Sequence, residues 1–219
     1  MDCCGMYTKG EERFNVLSHI VGGLLGIVVL AVCVSLSVMR ESIAGLGTSI
    51  LYGVSMIAVY AVSSVYHGLP AGKAKSVMRI IDHCTIYFLI GGTYTPILVC
   101  CVYKVNPAAA LTTLGLVWIP AIIAAVLTAV DMKKYNGISM ACYVCTGWAI
   151  LFCIKTAYRA LTPKGFLWIL AGGIAYTIGA IIYGIGKKHK WFHGVFHVFV
   201  VLGSLLQAVG VVFYVILRI

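Results

Sequence analysis

Seven stretches of this chain run without a single Lys, Arg, Asp or Glu: residues 16–39, 42–66, 83–103, 105–130, 135–154, 165–186 and 191–217. A helix needs about 20 apolar residues to cross the hydrocarbon layer of a bilayer, and each stretch reaches that length. Transmembrane β-strands take only about 9–11 residues. Backbone groups in lipid must be bonded within the segment, so stretches this long are expected to be α-helical. The pattern predicts an all-α membrane protein, a seven-transmembrane-helix bundle with short loops. Residues 1–219 form a single domain in this reading, with no linker, low-complexity tract or internal repeat. Pro96 and Pro120 fall inside the third and fourth spans and are expected to kink them. Glycines such as Gly22, Gly23 and Gly26, or Gly91 and Gly92, suit close helix packing in lipid.

Composition agrees with the pattern. Apolar residues make up 62% of the chain and charged residues 10%, against about half and a quarter in soluble domains. Such a chain cannot cover a soluble surface with polar groups, and it is too apolar to be disordered. The first run is too long for the apolar region of a signal peptide and is read as a span. The formal net charge is +10. The basic residues lie mostly between the apolar runs, so they are assigned to membrane topology and anionic headgroups, and no nucleic-acid partner is expected. The N-terminal segment and the loops after the second, fourth and sixth spans carry ten of the 16 Lys and Arg, including Lys9, Arg13, Lys75, Arg79, Lys187 and Lys188. The positive-inside rule then places the N-terminus in the cytoplasm and the C-terminus outside, in a multi-pass protein of the cell membrane.

The nine cysteines form no regular framework. Most lie inside apolar runs, and the Cys142/Cys145 pair is read as small packing residues rather than as a redox or metal pair. Cys3 and Cys4 are candidates for acylation.

Ionisable residues in or at the ends of spans carry the functional signal, because their burial is costly. His67 ends the second span, Asp82 precedes the third, and His193 and His197 open the seventh. The topology brings all four to the cytoplasmic face. His193 and His197 are one helical turn apart, about 6 Å along the axis, and share a face. Two imidazoles at that spacing can grip one metal ion, and His67 is the available third ligand. Three neutral histidines with an open fourth position make the donor set of a catalytic zinc, which brings a bound water to a pKa of about 7. Ser63 lies one turn before His67 on the same face, placed to hydrogen-bond that water or a substrate oxygen. Asp82 is placed to orient a ligand histidine or to act as a base; the plainer alternative for it is a loop ion pair with Lys75 or Arg79. His19, His83 and His189 are assigned interfacial or structural roles. Trp168 and Trp191 read as interface anchors.

Taken together, these residues resemble the hemolysin III family, the bacterial branch of the progestin and adipoQ receptor (PAQR) superfamily. The run from Glu11 through Asn15 to Ser18-His19 is similar to the family's N-terminal E-x-x-N-x-x-[ST]-H segment. Ser63 to His67 is similar to its S-x-x-x-H. Asp82-His83 followed by Gly92-Thr93-Tyr94-Thr95-Pro96 resembles its D-H…G-T-Y-T-P stretch, and His193 to His197 its final H-x-x-x-H. Gln207 departs from the pattern, which has a histidine there in many members. The resemblance implies a zinc ion held near the cytoplasmic face by His67, His193 and His197, with Ser63 and Asp82 close by. It also implies kinship with membrane hydrolases of the alkaline ceramidase type, and a link to membrane homeostasis.

Three functions are weighed. The first is a zinc-dependent hydrolase acting on a lipid-like amide or ester, with a membrane lipid as substrate. The second is a receptor or membrane-state sensor with structural zinc and a lipid ligand. The third is a cytolysin; it fits least, because a pore needs polar faces through the bilayer and the span midsections are almost wholly apolar.

Overall fold

The computed structural model describes residues 7–186 and 189–219. Cys3, Cys4, Lys187 and Lys188, invoked above for acylation and topology, lie outside the described residues. Among the described residues every regular element is helical.

Helix α1 (Lys9–Met39) starts seven residues before its apolar run, because Thr8 and Glu11 form a reciprocal capping box that satisfies the first backbone donors. Helix α2 (Ile43–Gly68) is capped by the Ser42 side chain. Helix α3 (Lys73–Ile97) also begins well ahead of its apolar run, so Asp82 stands in its third turn and not at its start. Its continuation past Pro96 is a π-helical turn, Leu98–Val102, leading into the short α4 (Tyr103–Val105). This fits the loss of a backbone donor at the proline. Helix α5 (Pro107–Gly147) opens on Asn106 as cap with Pro107 in the first turn, and runs helically through Pro120. A 3-10 turn, Ala149–Cys153, joins it to α6 (Ile154–Ile185). Helix α7 (Phe192–Tyr214) and a last 3-10 turn, Ile216–Arg218, end the chain.

Five helical stretches are long and apolar enough to cross a membrane: Lys9–Met39, Ile43–Gly68, Lys73–Val105, Pro107–Ile185 and Phe192–Arg218. The fourth covers 79 residues, about 120 Å of straight helix, several times the width of a hydrocarbon core. It is interrupted twice. Asp131 has extended backbone (φ −153°, ψ 89°), and its carboxylate accepts from the backbone N–H groups of Lys133 and Lys134 at 3.1 and 3.0 Å, an N-cap arrangement. Thr162 sits at φ 64°, ψ 159°. That conformation is costly for a β-branched residue, and Pro163 follows it as the first residue of a new helical run. Both interruptions lie in the charged segments between the predicted spans.

The helices close into a ring. Helix α1 packs along α2, α2 along α3, α3 along α5, and α6 along α7, while α7 returns to α1. One glycine contact fixes the α1–α2 approach: a Cβ on Gly22 would lie 2.5 Å from the buried ring of Tyr60. Below the ionisable residues, Tyr60 on α2 donates to Ser204 on α7 at 2.6 Å, and the Tyr176 hydroxyl of α6 lies 2.6 Å from the same oxygen. This polar knot ties three helices together beneath the site.

Candidate metal centre

His67 comes from the last turn of α2, and His193 and His197 from the first two turns of α7. Their Nε2 atoms converge. His193 Nε2 is 3.2 Å from His67 Nε2 and 3.0 Å from His197 Nε2. Adjacent ligands in a tetrahedral zinc shell with Zn–N of about 2.0–2.1 Å stand roughly 3.3 Å apart, so these separations fit one ion. All three residues offer a ring nitrogen within 4.8 Å of the other two. Three imidazole nitrogens pointed at one another need a proton or a cation between them, and burial makes the need stronger. His67 and His197 are buried and His193 is partly so. The donor set is an all-imidazole one, which zinc and other imidazole-preferring metals accept.

The outer ring nitrogens differ among the three. Among the described residues His193 Nδ1 is buried without a hydrogen-bond partner, and the nearest acceptor for His197 is the backbone of Asn15. His67 Nδ1 lies 2.5 Å from Glu12 Oε2 on α1. The other oxygen of Glu12 accepts from Lys75 Nζ of α3 at 2.8 Å. Lys75 also donates to the carbonyls of Leu69 (3.0 Å) and His67 (3.5 Å), which α2 leaves unpaired at its end. Lys75 is therefore the partner of Glu12 rather than of Asp82.

The neighbouring Glu11 holds α7. Its Oε1 accepts from the backbone N–H of Trp191 at 2.6 Å, just where the chain enters α7 through a left-handed residue with no side-chain cap of its own. A carboxylate at a helix N-terminus is favoured by the helix dipole. Tyr7, just ahead of α1, stacks on His193 with centroids 4.7 Å apart, and burial holds its phenol far above the ordinary range. The first turns of α1 thus supply no nitrogen to the cluster but grip both helices that do.

Ser63 and Asp82 are brought together. Ser63 hydrogen-bonds the Asp82 carboxylate, to which Arg79 adds an electrostatic contact. Both line one cavity with His193 and His197. Asp82 stands 4.0 Å from Nδ1 of its neighbour His83. The carboxylate against the outer nitrogen of His67 is Glu12. His83 itself bonds the Arg79 carbonyl of its own helix at 2.9 Å, in keeping with a structural role. His19 is 4% exposed and lies in the cavity wall, deeper than an interface anchor. Sequence reasoning gave Glu12 and Asn15 no role beyond the N-terminal motif, and gave Lys75 to membrane topology or to Asp82 rather than to Glu12. The signal available was the spacing of Glu12, Asn15 and His19, which lie on one face at i, i+3 and i+7.

The amino-acid sequence matches, over residues 7–208, the family described as "Haemolysin-III related". The chain belongs to the haemolysin III family. It is 33% identical over 205 residues to "Hemolysin-3" of Bacillus cereus, covering 94% of this chain and 92% of that protein. It is 34% identical over 209 residues to the "Hemolysin-3 homolog" of Bacillus subtilis (strain 168), covering 95% and 96%. A more distant relative is the "Monocyte to macrophage differentiation factor" of Homo sapiens, 24% identical over 160 residues, 70% of this chain and 64% of that one. Membership of the haemolysin III family, together with the five long apolar helical stretches, makes this a multi-pass membrane protein.

Proposed function

We propose that this haemolysin III protein is a zinc-dependent membrane hydrolase that cleaves an amide or ester of a lipid-like substrate. Its chain crosses the bilayer seven times, as one domain, with the N-terminus in the cytoplasm and the breaks at Asp131 and Thr162 serving as turns between crossings. The observation that carries the reading is a cavity of about 160 Å³ that shares its wall between the polar cluster and a long apolar surface. Ser63, Asp82, His193 and His197 face it together with Ile86, Leu89, Phe196 and Val200. Along α7 the lining runs from His193 to Gln207, about 21 Å at 1.5 Å per residue. An elongated acyl chain fits such a space, and its carbonyl end would lie beside the histidines.

A zinc ion held by His67, His193 and His197 would polarise the carbonyl and lower the pKa of a water toward neutrality. The chain's own residues do the rest. Asp82 takes a proton from the attacking water and returns it to the leaving group. Ser63 holds Asp82 in place by its hydrogen bond. The apolar wall orients the acyl chain and keeps bulk water away from the carbonyl. The test is turnover of a panel of acylated lipids by purified protein loaded with zinc, with His193→Ala as control. Release of fatty acid that disappears in the variant is expected. Zinc-loaded protein that turns over none of the panel overturns the hydrolase.

A receptor or sensor with structural zinc is the second reading. It is favoured by the way the cluster, Glu11 and Glu12 tie α1, α2 and α7 together. It predicts that a chelator lowers thermal stability, since a metal bound only by the folded state adds its binding free energy to folding.

A further inference from the structure

Resting on the zinc reading above, we propose that Glu12 is a positioning residue for the metal site. It dictates that His67 presents Nε2, unprotonated, to the other two histidines, and Lys75 holds Glu12 in the geometry that does so.

A carboxylate can only accept a hydrogen bond. With Glu12 Oε2 at 2.5 Å from His67 Nδ1, the proton of the neutral ring belongs on Nδ1. The lone pair is then on Nε2, the atom that stands 3.2 Å from His193 Nε2. Asn15 Nδ2 is 3.4 Å from the same Nδ1 and has no lone pair to meet once Nδ1 carries the proton. Turning the Asn15 amide over puts its oxygen, otherwise unpartnered, where it shares that N–H.

The His67 side chain is fully buried and that of Glu12 is 21% exposed. Glu12 would be costly there without a counter-charge. Lys75, whose side chain is 9% exposed, supplies it and bonds the α2 carbonyls in the same stroke. Three helices therefore converge on the one ring of the cluster that a carboxylate orients. His193 and His197 have no equivalent, since among the described residues no carboxylate stands against their Nδ1 atoms.

A merely structural clamp among α1, α2 and α3 would look similar in a contact map, but it predicts a different measurement. Zinc affinity is read by competition with a chromogenic chelator on the purified full-length protein, and thermal stability of the metal-free protein is read beside it. Glu12→Gln is close in size and keeps an acceptor but not the charge. It is expected to weaken zinc binding about 10- to 100-fold, the usual cost of losing the outer partner of a ligand histidine, with a fall in the metal-free melting temperature no larger than that of Lys75→Met, which breaks the same ion pair. Glu12→Asp should recover part of that loss. Lys75→Met, which spares the carboxylate, should weaken binding less than Glu12→Gln.

Zinc affinity in Glu12→Gln within about twofold of wild type, while His67→Ala abolishes binding, overturns the positioning role and leaves the metal site standing. A fall in the metal-free melting temperature with no change in zinc affinity also overturns it, in favour of the clamp. Wild-type protein that takes up no zinc overturns the metal reading and this proposal with it.

Discussion

The ring of His19 on α1 lies nearly parallel to that of His197 on α7, with centroids 3.7 Å apart and planes 15° from parallel. Tyr60 meets the His19 ring edge-on at 5.1 Å. His19 therefore bears on the plane in which His197 offers its nitrogens by stacking and not by hydrogen bonding, because both of its own ring nitrogens are buried without a partner among the described residues. A phenyl ring can make the same stack without two unpaired polar atoms. His19→Phe is expected to retain zinc and to melt at or above the wild-type temperature. His19→Ala, which opens a void beside a ligand ring, should melt lower and bind zinc more weakly. Thermal scans and elemental analysis of the purified variants check both.

The contrast between what a sequence pattern sees and what it misses is clearest at α1 and α3. Runs free of charge locate the apolar centres of helices, and the interruptions at Asp131 and Thr162 fall in the charged segments between such runs. The same criterion stops at the first charged residue. It therefore hid the seven residues of α1 before Val16, where Glu11 and Glu12 sit, and the first turns of α3, where Lys75 sits. The convergence of His67, His193 and His197 was legible because helical spacing and topology both constrain it. The choice of Glu12 over Asp82 as partner of His67 was not. It depends on how far two helices project past their apolar runs, which hydropathy does not encode.

Histidine position, not histidine content, should decide metal binding. His67, His193 and His197 each point Nε2 at the cluster, whereas His83 turns its Nδ1 to the Arg79 carbonyl of its own helix. Alanine at any of the first three is expected to remove stoichiometric zinc. Alanine at His83 should leave it. Elemental analysis in detergent after dialysis against a weak chelator reads the difference. Zinc retained in His197→Ala would refute the assignment of that ligand.

Asp82 and Ser63 should separate chemistry from metal binding. They share a hydrogen bond and line the cavity, and neither is one of the three residues whose ring nitrogens converge. Asp82→Asn keeps the shape and removes the base, so lipid turnover is expected to fall about 10²- to 10⁴-fold with zinc content unchanged. Ser63→Ala should fall less, because the carboxylate remains and only its orientation is loosened. Fatty-acid release measured by mass spectrometry, beside zinc content, checks this. Unaltered turnover in Asp82→Asn would remove Asp82 from the reaction.

Ser204 should matter more to stability than either tyrosine that meets it. Tyr60 has a second acceptor, the Val200 carbonyl at 3.2 Å, whereas Tyr176 makes its hydrogen bond to Ser204. Tyr60→Phe therefore removes one donor and leaves the Ser204–Tyr176 pair intact, a loss of about 1 kcal/mol, the net worth of a typical hydrogen bond. Ser204→Ala strands the buried Tyr176 hydroxyl and weakens the hold on Tyr60. Its cost should reach about 1–3 kcal/mol, the range for a buried polar group left unsatisfied. The double variant Ser204→Ala/Tyr176→Phe removes both partners of that bond and should recover part of the loss. Denaturant unfolding in detergent gives the three values. Equal costs for Tyr60→Phe and Ser204→Ala, with no recovery in the double variant, would mean that the knot beneath the histidines contributes packing alone.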